Sequence, residues 1–209
     1  AQRVVTALRK SGEEFAIELS LSAINQHGRW QAIAVVRDIT RRRAEEASEQ
    51  RLKDSLRRLT DLSAIATLPL AAQLKRALAL GAEHLGLEFA IVSRVEGETY
   101  HVRSQISPPD TLQDDQIFPL GVTYCSLTLA HRQVLSIDDM GHSPYLGHPC
   151  YAAFRLEAYI GAPIQVDGKV YGTINFSSPR PFARPFDETD REFVALLARW
   201  AGSAIERDQ

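Results

Sequence analysis

Cys125, His148 and Cys150 are the side chains in this chain best suited to chemistry. His148 and Cys150 lie two residues apart in His148-Pro149-Cys150-Tyr151, and Cys125 follows Tyr124. A nucleophilic cysteine needs a base and an orienting group beside it. Neither a helix nor a strand brings residues i and i+2 together, so the spacing does not make a catalytic pair. A metal would need N and S ligands, and His142, His148, Cys125 and Cys150 are the candidates. Their spacing forms no compact motif, and no Cys-x-x-Cys is present. A dithiol switch would need Cys125 and Cys150 to approach within disulfide range, which spacing alone does not decide. A different chemistry fits better. Tyr124, Cys125, His148, Cys150, Tyr151, Phe154, Tyr159 and Asn175 mix apolar bodies with a few polar tips, as the wall of a small-molecule pocket does. Plain core is the competing reading for Phe154 and Tyr159. The expected site is therefore a ligand-binding wall of Tyr124, Cys125, His148, Cys150, Tyr151, Tyr159 and Asn175, with no catalytic and no metal-binding residue. The ligand or cofactor stays unknown.

The bulk properties limit what surrounds that wall. The chain has 209 residues, 44% of them hydrophobic and 24% charged, enough for one large domain or two small ones. A formal net charge of −2 exerts no general pull on nucleic acid or an anionic membrane. No Gly-rich phosphate loop and no basic stripe interleaved with aromatics appears. No apolar run approaches the roughly 20 residues of a membrane span, and no leader is visible at the start. Two cysteines do not make a disulfide framework. A cytoplasmic protein is expected, with neither nucleic acid nor membrane as partner of this stretch.

Periodicity supplies the elements. Phe15, Ile17, Leu19 and Leu21 alternate with Ala16, Glu18, Ser20 and Ser22, the period of a half-buried strand. Arg3 to Lys10 precedes it as a strand, with a turn at Ser11-Gly12. Trp30 to Ile39 follows, after His27-Gly28. Three antiparallel strands persist only if one face is covered, so a second copy or another segment is expected over them. Thr40 reads as the N-cap of the next helix. Residues 41–66 contain neither Gly nor Pro, and Leu52, Leu59 and Ala66 recur every seven, with Ser55 and Leu62 three further on. Leu56 widens the stripe. The expectation is a short coiled coil that, with the last helix, joins a homodimer. Pro69 breaks that helix. Leu74 to Leu85 is a helix stopped by Gly86. Residues 87–106 form a hairpin turning at Glu96-Gly97, and residues 107–123 are loose. Thr123 to Gln133 is helical, and Val134 to Asp138 is a short strand. Ala158 to Ser178 is a second hairpin around Asp167-Gly168. Asp187 opens the last helix, with Asp190 three on as an imperfect capping box. Its expected apolar face is Phe193, Leu196, Leu197, Trp200, Ala204 and Ile205.

Two resemblances organise these parts. "RKSGEEFAIELSLSAI" followed by "AVVRDITRRRAEE" resembles the C-terminal half of a PAS domain, with Asp38-Ile39-Thr40 as its exit motif. "GVTYC" at 121–125, "LSIDD" at 135–139, "AYIGAPI" at 158–164, "GKVYGTINF" at 168–176 and the closing "FVALLARWAGSAIE" resemble a GAF domain. The implied class is α+β, antiparallel sheets with helices: a PAS-like half sheet over 1–40, a helical linker over 41–66 and a GAF-like domain over 67–209. The resemblance implies a sensory module relaying ligand binding or an upstream signal through helices, as in bacterial sensor histidine kinases. The sensor part of a diguanylate cyclase, a chromophore-binding photoreceptor and a cysteine-dependent GAF-like enzyme are the alternatives. Phytochrome-type GAF domains attach pigment to a Cys-His pair, but Tyr151 follows Cys150. GAF-like methionine sulfoxide reductases use a set of cysteines, and only Cys125 and Cys150 exist here.

Overall fold

The structure is a computed structural model in which residues 2–50, 53 and 68–209 are described. The chain divides into two compact units, Ala1–Lys53 and Asp54–Gln209.

The first unit is a three-stranded antiparallel sheet of β1 (Gln2–Leu8), β2 (Glu14–Gln26) and β3 (Arg29–Asp38), in that order. The β2–β3 turn is His27-Gly28, and both residues have positive φ, 52° and 78°. That is the backbone a two-residue hairpin turn requires. Ile17 and Ile39 are buried, whereas β3 is exposed along its whole length. Val4, Val5, Leu8, Leu21, Trp30, Ile33, Val35 and Val36 all stand exposed. Residues 40–50 continue as helix α1. Thr40 lies inside the helix and Ile39 holds the cap position, its carbonyl accepting the Arg43 N–H at 2.9 Å, while the Asp38 carboxylate accepts the Thr40 backbone N–H at 2.9 Å. Arg9 donates to the other carboxylate oxygen at 2.7 Å. These partners, the Thr40 amide first, hold the Asp38 carboxyl down at about 2. Asp38→Ala is expected to fray the start of α1 while leaving the β2–β3 pairing intact. Faster amide exchange confined to residues 40–43 would show it; unchanged exchange there would contradict this role of Asp38. The heptad positions Leu52, Ser55, Leu56, Leu59, Leu62 and Ala66 lie outside the described residues.

The second unit holds a six-stranded antiparallel sheet of order β6-β5-β4-β9-β8-β7. Helix α2 (Leu70–Leu85) starts directly after Pro69, four residues earlier than expected, and ends on Gly86 at φ 66°. β4 (Phe89–Glu96) and β5 (Thr99–Ile106) form a hairpin whose turn is Gly97-Glu98, one residue later than expected. The stretch expected to be loose contains a short edge strand, β6 (Ile117–Pro119), paired with β5. Helix α3 (Cys125–His131), strand β7 (Leu135–Ile137) and helix α4 (Pro149–Phe154) follow. β8 (Ala158–Val166) and β9 (Lys169–Ser178) turn at Asp167-Gly168, both at positive φ. Helix α5 (Glu188–Asp208) closes the unit, with the capping box of Asp187 and Asp190 fully formed.

Strand alternation sorts side chains onto two faces. On one face Ala90, Val92, Ile160, Ile164, Ile174 and Phe176 pack with Leu74, Leu78, Phe193, Val194 and Leu197 of α2 and α5. On the other, Tyr159 joins Tyr124, Met140 and Cys150, and Tyr100 joins Val102 and Cys125. The buried stripe of α5 differs from the expected one. Val194, Ala198 and Ala201 are buried, while Leu196 and Trp200 sit at its margin. Small residues take the centre because α5 lies against the sheet backbone itself.

Candidate functional site

The face of the sheet opposite α2 and α5 carries a cavity of about 240 Å³. β4 contributes Phe89 and Ile91, β5 contributes Tyr100, and β9 contributes Asn175 and Ser177. Phe89, Ile91, Asn175 and Ser177 alternate with residues packed under the helices, whereas Tyr100 is turned to this face beyond the register shift between β4 and β5. Cys125 at the start of α3, Cys150 and Phe154 of α4, and Leu112 and Phe118 from the long loop and β6 complete the walls.

Five of the seven expected wall residues line this cavity: Tyr124, Cys125, Cys150, Tyr159 and Asn175. His148 and Tyr151 do not. His148 caps α4, its Nδ1 accepting the Cys150 backbone N–H at 3.2 Å. With Nδ1 an acceptor, the ring proton sits on Nε2, which faces Ser126 Oγ at 3.2 Å. Tyr151 turns away and donates to Glu157 at 2.7 Å. The other Glu157 oxygen accepts the Gly141 backbone N–H at 3.0 Å, so this carboxylate ties α4 to the loop before it. Phe154 is not core. It is 42% exposed and meets Phe118 edge-on at the cavity rim, with centroids 5.8 Å apart. Phe89, Ile91, Tyr100, Leu112 and Phe118 were not expected as lining. In the sequence they read only as strand and loop hydrophobics.

Polar contacts inside the cavity form a short chain. Thr128 and Tyr159 share a hydrogen bond of 2.7 Å, and the Tyr159 hydroxyl donates to Cys125 Sγ at 3.7 Å. Asn175 Nδ2 donates to Cys125 Sγ and to the Tyr100 hydroxyl, each at 3.4 Å. Tyr124 donates to the Leu156 carbonyl at 3.0 Å. Burial pushes the Cys125 thiol up, and pushes Cys150 up to about 12. Both sulfurs are therefore thiols near neutrality and poor nucleophiles. His148 is no base for Ser126, because Nε2 carries the proton. Among the described residues no group of three His, Cys, Asp or Glu is placed to hold a metal ion.

His148 makes α4 sensitive to pH. Burial lowers its pKa below the ordinary value. Protonation would put a donor where Nδ1 now accepts, and a positive charge at a helix N-terminus. The depressed folded value means the stabilising cap is intact above the unfolded pKa of about 6.5 and is lost as pH falls below it through the folded one. Relative to the intrinsic rate, which itself falls with pH, amide exchange in residues 150–154 is expected to accelerate as pH drops below about 6.5. His148→Asn, which still caps, is expected to remove most of that acceleration; equal acceleration in the variant would rule His148 out as its source.

Two helices on one face of an antiparallel sheet, and a lidded cavity on the other, define a sensory and regulatory α+β domain. The chain belongs to the GAF domain family, whose sequence model matches residues 69–205. A stretch of 88 residues is 33% identical to protein YtsP of Bacillus subtilis strain 168, covering 42% of this chain and 50% of that protein. The match thus spans half the length of this curated relative. Among solved structures, free methionine-R-sulfoxide reductase from Neisseria meningitidis, in complex with its substrate, is 19% identical with a TM-score of 0.58, over 72% of this chain and 87% of that one. The chromophore-binding domain of an unusual bacteriophytochrome from R. palustris is 16% identical with a TM-score of 0.60, over 99% of this chain and 74% of that one. At such identities the likeness concerns the fold. None of the described helices is long and apolar enough to cross a membrane.

Proposed function

We propose that this chain is a non-enzymatic sensory piece: the second half of a PAS domain, a helical connector over 41–66, and a GAF domain that reads a small molecule in its cavity. The observation that carries this reading is β9. Asn175 faces the cavity while its chain neighbours Ile174 and Phe176 pack under α2 and α5. The ring of Phe176 fills the space beside Gly81 of α2. A ligand that displaces Asn175 therefore moves a residue wedged against the output helices, and it shifts their arrangement by as much as its affinity differs between the two states. The parent is a cytoplasmic sensor histidine kinase in this reading, dimeric through the connector and α5. The sensor part of a diguanylate cyclase is the second reading, since neither output lies in these residues. The exposed β3 face carrying Trp30 and Val36 supports a covering partner for the first unit.

Two other activities fit the cavity less well. Methionine sulfoxide is a zwitterion, and among the described residues no charged side chain lines the cavity to meet it. An open-chain tetrapyrrole carries two carboxylates, again without a cationic partner, and exceeds the space available. The residues present do not fit a bilin. Native mass spectrometry of protein purified without denaturant, followed by hydrogen exchange with and without the bound mass, tests the sensing reading. Protection changes in α2 and α5 on loading are expected. A bound molecule that leaves both helices unchanged would overturn the relay.

A further inference from the structure

The geometry points to a specific ligand class for this cavity: a neutral, mostly apolar compound of one or two fused rings that donates a single hydrogen bond to Asn175. The inference rests on the sensing reading above and sharpens it. Size is the first constraint. About 240 Å³ falls just below the roughly 300–1,000 Å³ of sites for drug-sized ligands. Charge is the second. The walls are Phe, Ile, Leu, Tyr, Cys and small polar residues, with no Asp, Glu, Lys, Arg or His among the described lining. An ion entering would shed its hydration without gaining a counter-charge, which costs several kcal/mol. A neutral molecule avoids that cost.

Shape is the third constraint. Tyr100, Phe118, Tyr124, Phe154 and Tyr159 present ring faces and edges around the space. Tyr124 and Tyr159 already meet edge-on at 5.3 Å, and Tyr100 lies 6.3 Å from Phe118. A planar ring continues such edge and offset contacts, whereas a flexible chain loses more entropy for the same area.

The polar anchor decides the rest. Asn175 is 4% exposed, and its Nδ2 makes only two long bonds of 3.4 Å. Its Oδ1 has no hydrogen-bond partner among the described residues. That oxygen is not fully enclosed and stays open to the cavity; a ligand N–H or O–H meets it, whereas a ligand without a donor covers it and leaves it unsatisfied. Ser177, two residues along β9, offers a hydroxyl to the same space as a second, smaller partner, and the remaining polar groups are less available. Thr111 and Thr123 both donate to backbone carbonyls, of Pro108 and Leu120. Gln116 uses its side-chain oxygen on the Gln113 amide. One donor on an otherwise apolar ring is the complement of this lining.

Calorimetric titration of the full 209-residue chain with three isosteres tests the class: indole, benzofuran and indole-3-carboxylate. Indole is expected to bind, with benzofuran weaker by roughly tenfold because its ring oxygen donates nothing. Indole-3-carboxylate is expected not to bind. Asn175→Leu, checked for folding by circular dichroism, is expected to erase the preference for indole over benzofuran. Should that variant misfold, the wild-type comparison of indole with benzofuran still decides. Binding of the carboxylate as tightly as indole, equal affinity for indole and benzofuran, or no heat with indole at about 1 mM would each overturn the class. Exchange of α2 and α5 separates the two ideas. Carboxylate binding that alters those helices discards the class and keeps the sensor. Indole binding that leaves them unchanged keeps the class and discards the sensor.

Discussion

Gly202→Val is expected to lower the melting temperature of the second unit by about 10 °C or to prevent its folding. Gly202 sits in the C-terminal third of α5, on its buried stripe against β8. A Cβ at this position would lie 2.2 Å from the Gln165 carbonyl oxygen. That oxygen is backbone, at a register shift between Ile164 and Gln165, so it cannot swing aside like a side-chain end. The helix must then lift off the sheet, opening the layer in which Phe193, Leu197 and Ala201 are buried. Overpacking in cores costs about 1–3 kcal/mol even where side chains can yield. With a backbone contact, the loss is expected at or above about 3 kcal/mol, or about 10 °C for a domain of this size. Gly121→Ala is the control, since a Cβ there meets nothing within 4 Å. Thermal melts of the two variants check this, and a Gly202→Val melt equal to wild type would show that α5 is not held in this register.

Asp190→Ala is expected to cost about 2–4 kcal/mol. The Asp190 side chain is 1% exposed and holds Arg184 through both oxygens, at 2.5 and 2.9 Å. It also accepts the Asp187 backbone N–H at 2.9 Å, closing the capping box of α5. Burial pushes its carboxyl up, yet the Arg184 guanidinium and the Asp187 amide outweigh that and hold it below the ordinary carboxylate value. Removing it leaves half a capping box, in which Asp187 still accepts the residue-190 backbone N–H, and an arginine that is 40% exposed and partly rehydrates, which keeps the cost below that of a fully buried pair. The sign of the pH effect follows from the depressed value. The contribution is full above the unfolded pKa of about 3.9 and disappears as pH falls through the folded one. Asp190→Asn should keep part of the cap and flatten the acid limb of the stability curve. Denaturant unfolding at neutral and acid pH checks both. A loss for Asp190→Ala under about 0.5 kcal/mol, the size of an ordinary surface change, would show that Arg184 and the cap do not depend on it.

What the amino-acid sequence determined by itself is local. Asp167-Gly168 and His27-Gly28 announce their turns because positive φ favours Gly and Asn-like residues whatever surrounds them. The alternation in β2 and the cap at Asp187 are legible because pleat and first-turn chemistry involve neighbours in the chain. The GAF resemblance carried by 158–164 and 168–176 rests on the same local patterns. Pairing across the fold is a different matter. β6 is a strand only because β5 lies beside it, and three residues among prolines give no periodicity to read. Helix α2 begins at Leu70 because Pro69 precedes its first turn, whereas proline alone signals only an interruption. The buried face of α5 runs through Val194, Ala198, Ala201 and Gly202 instead of Trp200, because the distance of closest approach to β8 selects small residues.

The cavity was decided almost wholly by tertiary structure. Tyr124, Cys125, Cys150, Tyr159 and Asn175 stood out by residue type. Phe89, Ile91, Tyr100 and Phe118 have the same apolar character as core positions, and only the α3–α4 lid over their face leaves space against them. His148 and Tyr151 adjoin Cys150 in the chain, but the first turn of α4 sends one to cap the helix and the other to Glu157. Periodicity states that a strand has two faces; which face stays partly empty depends on what the rest of the chain lays across it.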